Sequence, residues 1–188
     1  MQEFEAKFSG FSLEKARKLL EVHGYQCVTP EKMMVRKSFH VKGNSNKWGR
    51  VRNEGDKITL TIKEITKDND ISGVQEAEVV INSFEEGESV LKMCGFYEVS
   101  FQETKREIWK KNDVEVMIDT WPGLRSFIEV ESKDALTVQN ACAELGLDYS
   151  HAMFGGVDVV YMKELNLPAS YINKLSVITF KNPPKAAA

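Results

Sequence analysis

Acidic and basic side chains alternate with apolar ones in several short stretches of the sequence. The first stretch contains Glu3, Glu5 and Lys7, each separated from the next by an apolar residue. Side chains along a β-strand point alternately to its two faces, so these three charged groups would share one face. Glutamate carboxylates are hard oxygen ligands of the kind that Mg²⁺ and Mn²⁺ prefer. The same glutamate spacing recurs in two further predicted strands, in the pairs Glu76 with Glu78 and Glu129 with Glu131.

Basic residues show a similar spacing in the middle of the chain. Arg50 and Arg52 flank Val51, an arrangement expected about 0.2 times by chance from the six arginines present. Lys63 lies on the polar face of the next predicted strand, and Arg106 and Asp119 are embedded in later ones. Basic side chains in rows of this kind are suited to binding the oxygens of a phosphate chain.

These charged groups must be positioned by short strands with helices between them. A helix is predicted over 13–22, a second after Ser83 and before Gly95, and a third over 134–146, from their caps and apolar spacing. The sequence Asn53–Asp56 predicts a hairpin turn. About eight strands suit a closed or nearly closed barrel, so we predict an α+β fold, an eight-stranded antiparallel β-barrel with flanking helices. The predicted strands are 3–8, 33–41, 48–53, 57–65, 74–82, 98–110, 114–120 and 127–132.

The length of 188 residues predicts a single domain over 1–188, with the charged motifs within 1–150. Residues 151–188 are expected to be helical or extended, with short helices near 158–166 and 169–174 and a strand near 177–180. A formal net charge of −3 argues against a general nucleic-acid binder. The sequence shows no membrane span, and its three cysteines are scattered, so a cytoplasmic protein without structural disulfides is expected.

If the sheet closes, one face of every strand points into a lumen, and the charged residues would line it. Burying many ions costs several kcal/mol each unless they are paired. A polyphosphate held by the basic residues, with divalent cations joining its oxygens to the carboxylates, would satisfy both signs of charge. Two other interpretations stay open: a lattice of ion pairs that neutralise one another, or, for any single pair of glutamates, a solvated strand face.

The ordered set of motifs resembles the CYTH superfamily of triphosphate tunnel metalloenzymes, which includes thiamine triphosphatases, inorganic tripolyphosphatases and class IV adenylyl cyclases. Glu3-x-Glu5-x-Lys7 is similar to the E-x-E-x-K signature of that family. The resemblance implies an eight-stranded tunnel that binds a triphosphate. It further implies phosphate binding by Lys7, Arg50, Arg52, Lys63 and Arg106. The implied metal ligands are Glu3, Glu5, Glu76, Glu78, Asp119, Glu129 and Glu131.

The resemblance implies an enzyme that hydrolyses a triphosphate with Mg²⁺ or Mn²⁺, with Glu5, Glu129 and Glu131 as the catalytic carboxylates. The alternative is a class IV adenylyl cyclase that makes cyclic AMP and pyrophosphate from ATP, and a third possibility is a non-catalytic polyphosphate-binding module. The partner is a small triphosphate-containing molecule, and a monomer and a homodimer are both open. The family often has Lys-x-Arg where this chain has Thr104-Lys105-Arg106, so Lys105 is expected to point away from the lumen.

Overall fold

A computed structural model describes residues 2–185, apart from the side chain of Glu3. The strands alternate with helices along the chain, as predicted for an α+β fold. The strands are β1 Gln2–Phe11, β2 Gln26–Val41, β3 Asn44–Asn53, β4 Ile58–Ile65, β5 Val74–Ile81, β6 Phe96–Lys111, β7 Val114–Thr120, β8 Ser126–Ser132 and β9 Val177–Ile178. The helices are α1 Leu13–Val22, α2 Phe84–Met93, α3 Ala135–Glu144, α4 Asp158–Leu165 and α5 Ala169–Ile172, with a 3₁₀ turn at Tyr149–His151.

Strands β1 to β8 are antiparallel neighbours in the order β2-β3-β4-β5-β1-β8-β7-β6, and β6 pairs again with β2. The sheet therefore curls into the predicted eight-stranded barrel-like structure. Its weakest junction is between β1 and β5, where the register joins only Gln2 to Gln75 and Glu3 to Val74. The short strand β9 adds to β6 in the parallel direction.

Local sequence explains the starts of the first three helices. The side chains of Ser12, Ser83 and Asp134 accept hydrogen bonds from the backbone N–H three residues later, at the N-termini of α1, α2 and α3. Such caps satisfy N–H groups that a helix leaves without a partner. The predicted hairpin turn is also present: the Asn53 side chain accepts from the N–H of Gly55, whose φ of 91° suits glycine.

Apolar residues form clusters against the outside of the sheet. The largest joins Ala6, Phe8, Val116 and Val130 of the strands to the inner faces of α1 and α3. A second packs Phe127 against Tyr161 and the C-terminal elements, and a third lies under α2. The hydrophobic core thus covers one face of the strands, and the opposite face is left to polar and charged side chains.

Strand β2 begins at Gln26, earlier in the chain than Met33, the start that the sequence predicts. Pro30 has no backbone N–H and is tolerated in strands at edges or bulges. The pairing of β2 with β6 shifts register between Thr29 and Lys32, on either side of this proline. This irregularity interrupts the alternation of polar and apolar residues by which a strand is predicted. Pairing with β6 nevertheless keeps this part of the chain extended.

None of the helices within residues 2–185 is long and apolar enough to cross a bilayer.

Candidate functional site

A cavity of about 600 Å³ lies on the charged inner side of the curled sheet. The residues singled out from the sequence come from seven different strands and meet at this cavity. The side chain of Glu3 lies outside the described part of the structure, so its predicted role is not placed. The other predicted site residues all line the cavity: Glu5, Lys7, Arg50, Arg52, Lys63, Glu76, Glu78, Arg106, Asp119, Glu129 and Glu131.

Strand register brings acidic and basic groups side by side. On β1 and β8, Glu5 lies opposite Glu131 and Lys7 lies opposite Glu129. Across β4 and β5, Lys63 lies opposite Glu76. Directly opposed side chains of an antiparallel pair have Cβ atoms only about 4.5–5.5 Å apart, so the alternation in each strand becomes a set of cross-strand charge contacts.

Lys7 is the centre of the first group of ion pairs. Its side chain is 3% exposed; its Nζ contacts a Glu5 carboxylate oxygen and lies 3.5 Å from Oε1 of Glu129. Burial favours the neutral form of Glu129, but the attraction of Lys7 and Arg106 outweighs it and lowers the pKa to about 2. Glu129 is therefore ionised at any pH at which the protein is expected to work.

Arg106 is the centre of a second group. Its guanidinium contacts both oxygens of Asp119 and lies 2.8 Å from Oε2 of Glu129. Burial is the largest influence on Asp119 and raises its pKa, with a further contribution from Glu129, while Arg106 opposes that change. Burial alone would lower the pKa of Arg106, but its two carboxylate partners raise it well above the ordinary value.

The remaining predicted cations also have carboxylate partners. Arg50 Nη2 lies 3.1 Å from Oε2 of Glu78, and Lys63 contacts Glu76. Arg52 pairs with Glu54 in the following turn. Burial and the nearby Arg50 and Arg106 nevertheless lower the pKa of Arg52 to about 10, because like charges crowd this part of the cavity.

Glu131 differs from the other carboxylates that line this cavity, or tunnel. Within the described chain its side chain makes no ion pair or hydrogen bond. Burial is the main cause that raises its pKa to about 7, and the negative charges of Glu5 and Glu129 add to it. The carboxylates on β1 and β8 therefore leave negative charge that no described protein cation balances by direct contact.

The carboxylates on β1 and β8 are the type of ligand that a divalent cation prefers. Glu5, Glu129 and Glu131 offer hard carboxylate oxygens on these neighbouring strands. Among the described side chains, which do not include that of Glu3, no three acidic, histidine or cysteine groups are gathered as a ready metal-binding group. Glu5 and Glu129 are instead held by Lys7. Lys7 therefore contacts one oxygen of each of these two carboxylates.

Sequence reasoning missed Arg36, which lines the same cavity from β2. Its guanidinium lies 4.1 Å from the ring centre of Trp121, and its Nε donates to the side chain of Gln102 at 2.9 Å. Burial lowers its pKa well below the ordinary value, and the positive charges of Arg50, Arg52 and Arg106 lower it further. The cavity therefore contains a fourth arginine in addition to the three predicted.

Lys105 has the orientation expected from the sequence. It does not line the cavity, and its Nζ lies 3.3 Å from Oε1 of Glu31 and 5.8 Å from the ring centre of Phe180. Its neighbour Arg106 points inward, in agreement with the alternation of a strand.

The C-terminal part of the chain contributes to one side of the cavity. The backbone of Met153 pairs with that of Lys7 through two hydrogen bonds of 2.9 and 3.0 Å. Gly155, Gly156 and Asp158, at the start of α4, then line the cavity. Burial raises the pKa of Asp158, and Lys7 partly offsets the effect. The sequence did not place this segment at the site because it carries no recognisable motif.

Aromatic side chains are present on the cavity wall between β2 and β3. His40 and Trp48 lie opposite each other in the register and both line the cavity. Burial lowers the pKa of His40, which favours its neutral form. Trp48 is on the same strand as Arg50, two residues before it, so the aromatic rings lie next to the basic groups.

Comparison with known families finds a match to the CYTH domain over residues 36–149. A protein of Methanocaldococcus jannaschii that bears a provisional adenylate cyclase name is 37% identical over 82 residues, which is 44% of this chain. The match spans 47% of that relative's length.

Solved structures include similar folds. A conserved hypothetical protein from Pyrococcus furiosus has 25% identity and a TM-score of 0.68, with 80% of this chain and 94% of that chain covered. A protein from Vibrio parahaemolyticus, named provisionally as an adenylate cyclase, has a TM-score of 0.69 at 10% identity, with 85% and 97% covered. At that identity the second likeness concerns the fold alone.

Proposed function

The chain belongs to the CYTH domain family, and we propose that it is a metal-dependent hydrolase of a triphosphate bound in the cavity inside β1–β8. The family includes both triphosphatases and adenylate cyclases. The observation that carries the proposal is the convergence of basic side chains from five strands on one cavity that also has unbalanced negative charge at Glu131. A triphosphate and a divalent cation together supply the two kinds of counter-charge.

In this proposal the basic residues bind the non-bridging oxygens of the triphosphate. Arg50 and Arg52 present planar guanidinium groups, which suit bidentate contacts with phosphate, whereas Lys7 and Lys63 act as point charges. Arg106 is held by Asp119 and Glu129, which fixes its orientation before substrate arrives. Stabilising charge on the transferring phosphoryl group is the main contribution that a protein makes to this type of reaction.

Glu5, Glu129 and Glu131 would hold the divalent cation once Lys7 contacts a phosphate oxygen instead of the two glutamates. A bound divalent cation supplies charge neutralisation at the phosphate oxygens and activation of water at neutral pH. The chain's own contribution there is to keep Glu129 ionised, through Lys7 and Arg106 before substrate binds and through Arg106 afterwards. Phosphoryl transfer of this kind needs no covalent nucleophile from the protein, so direct attack by water is the simplest route.

The experiment is an assay of the purified protein with tripolyphosphate, thiamine triphosphate and ATP, each with Mg²⁺, with Mn²⁺ and with EDTA. We expect metal-dependent release of phosphate from at least one of them. Glu5→Ala is expected to remove the turnover and leave the circular dichroism spectrum and melting curve of a folded protein. Unchanged turnover in this variant would contradict the assignment of the metal site.

A second candidate is an adenylyl cyclase, favoured by the provisional name of the Methanocaldococcus jannaschii relative and by the aromatic wall at His40 and Trp48. A base stacked there would place its triphosphate toward Arg50. In the same assay, cyclic AMP and pyrophosphate as the main products from ATP would select the cyclase and exclude the hydrolase.

A non-catalytic binding module is the third possibility. It predicts tight binding of triphosphate and no turnover with either metal. The surplus carboxylate charge on β1 and β8 counts against it, because basic groups alone would be enough for binding.

A further inference from the structure

Arg36 is the tunnel cation with the fewest partners. Within residues 2–185 it makes no ion pair, and its one side-chain hydrogen bond uses Nε, which donates to Gln102. An arginine has five N–H donors, so the four on its terminal nitrogens remain available. Its neighbours in the cavity are three more arginines, Arg50, Arg52 and Arg106, each of which has a carboxylate partner.

Two contacts fix the orientation of this guanidinium. Trp121 is 4% exposed and lies under it at 4.1 Å, a distance at which a ring face attracts a cation. Gln102 lies opposite Arg36 in the register of β2 with β6 and holds Nε from the side. A planar group held on one face and at one edge loses little further freedom when its remaining donors bind a ligand.

The energetic cost of this arrangement also points to a ligand. Arg36 is half-buried, and a cation partly withdrawn from solvent with like charges around it is unfavourable unless an anion is supplied. The acidic group that acts on Arg36 is Asp119, but both oxygens of that carboxylate already contact Arg106. The missing anionic partner and the positive charges near Arg36 therefore indicate a side chain that is stabilised by binding an anion.

We propose that Arg36 is a further phosphate-binding residue of the tunnel, which acts together with Arg50, Arg52 and Arg106, and that Trp121 and Gln102 are its positioning residues. The proposal rests on triphosphate binding in the tunnel and adds a specific ligand to it. A bidentate guanidinium contact selects an oxyanion with two oxygens in one plane, and phosphate groups satisfy that geometry.

The test is calorimetric binding of tripolyphosphate with Mg²⁺ to wild type, Arg36→Gln and Arg36→Lys. A hydrogen bond to a charged group is worth about 1.5–3 kcal/mol, so Arg36→Gln is expected to weaken binding about 10- to 100-fold. Arg36→Lys keeps the charge but loses the planar donors and is expected to give an intermediate affinity. Arg125→Gln, an equivalent change at an exposed arginine outside the cavity, is the matched control and should bind as wild type does.

Melting curves of the ligand-free variants separate a binding role from a structural one. Removal of a crowded, unpaired charge is expected to leave the Tm of Arg36→Gln equal to or above that of wild type. Saturating tripolyphosphate should then raise the Tm of this variant less than that of wild type. A lower ligand-free Tm with wild-type affinity would overturn the proposal.

The same titrations separate this inference from the proposed function. The titrations use whichever of tripolyphosphate, thiamine triphosphate and ATP wild type binds; if wild type binds none of the three, the proposed function fails. If wild type binds and Arg36→Gln binds equally well, the role of Arg36 is contradicted and the proposed function stands.

Discussion

Two places in this protein bury charge, and they differ in how completely the charges are paired. On the outer side of β6, Glu107 is 2% exposed. It accepts hydrogen bonds from Arg17 of α1 at 2.8 and 2.9 Å and from Nε1 of Trp109 at 2.6 Å. The tunnel has ion pairs as well, but Arg36 and Glu131 have none within the described chain. The charges of the outer cluster are paired and connect a helix to the sheet. In the tunnel, Arg36 and Glu131 have no ion-pair partner among the described residues and are available to bind a ligand.

The contrast matters because a lattice of ion pairs was one of the interpretations that the sequence left open. A lattice built only for stability should resemble the cluster at Glu107, where each strong acceptor has its donors. The tunnel does not, since the pKa of Glu131 is raised to about 7 by burial and by Glu5 and Glu129. Function is often visible as strain or cost that the fold tolerates in one place.

Glu131→Gln is expected to have the largest effect on activity. Loss of one electrostatic group from an active site typically costs about 10²–10³ in turnover, and this carboxylate is one of the three proposed for the metal. At pH 8, removal of a repelled charge should also raise the Tm of the ligand-free protein. Steady-state kinetics at varied Mn²⁺ and a melting curve measure the two changes. A fall in Tm with normal kinetics would make Glu131 structural, like Glu107.

Arg50→Gln and its control Lys47→Gln compare a cation on the cavity wall with a cation outside it on the same strand, β3. Arg50 faces the cavity, whereas Lys47 pairs with Glu64 at 2.9 Å and is absent from the cavity wall. Loss of a charge-assisted contact with phosphate should lower kcat/KM for the triphosphate about 10- to 100-fold. Lys47→Gln should change it by less than about threefold, because an exposed ion pair contributes little. Equal effects of the two changes would contradict the assignment of the tunnel face.

Glu107→Gln should have a small effect on turnover and a clear effect on the free energy of unfolding. The change weakens the contacts with Arg17 and Trp109, at a cost of about 1–3 kcal/mol. That corresponds to a fall of several degrees in Tm for a chain of this size. Turnover of triphosphate at 25 °C is expected to stay at the wild-type level. A marked loss of kcat in the folded variant would show that the outer cluster is not separate from the site.

Much of the fold and of the site followed from alternation in the sequence. Where a charged residue has apolar neighbours, as in Glu5-Ala6-Lys7 or Arg50-Val51-Arg52, the inward face is unambiguous, and the structure places these charged side chains on the cavity. The helix caps at Ser12 and Ser83 and the turn at Asn53 were equally local. The roles of these side chains in metal or phosphate binding stay predictions.

Arg36 could not be found in this way because it is followed directly by Lys37. Two adjacent basic residues point to opposite faces of a strand, and the sequence gives no indication of which one points inward. The structure shows Lys37 on the outside with Glu88 and Glu98, which leaves Arg36 inside. Its partners Gln102 and Trp121 are more than sixty positions away in the chain. Gln102 becomes a neighbour through the pairing of β2 with β6, and Trp121, which directly follows β7, through the pairing of β7 with β6.

The most direct test of the account is a crystal structure of the protein with tripolyphosphate and Mn²⁺, with anomalous data collected to locate the metal. The account predicts the phosphate chain inside the cavity, in contact with Arg36, Arg50, Arg52 and Arg106. It also predicts a manganese peak at Glu131 and the carboxylates beside it, with Lys7 moved from Glu5 to a phosphate oxygen. A tunnel without phosphate or manganese, its ion pairs unchanged and the ligand bound elsewhere, would contradict it.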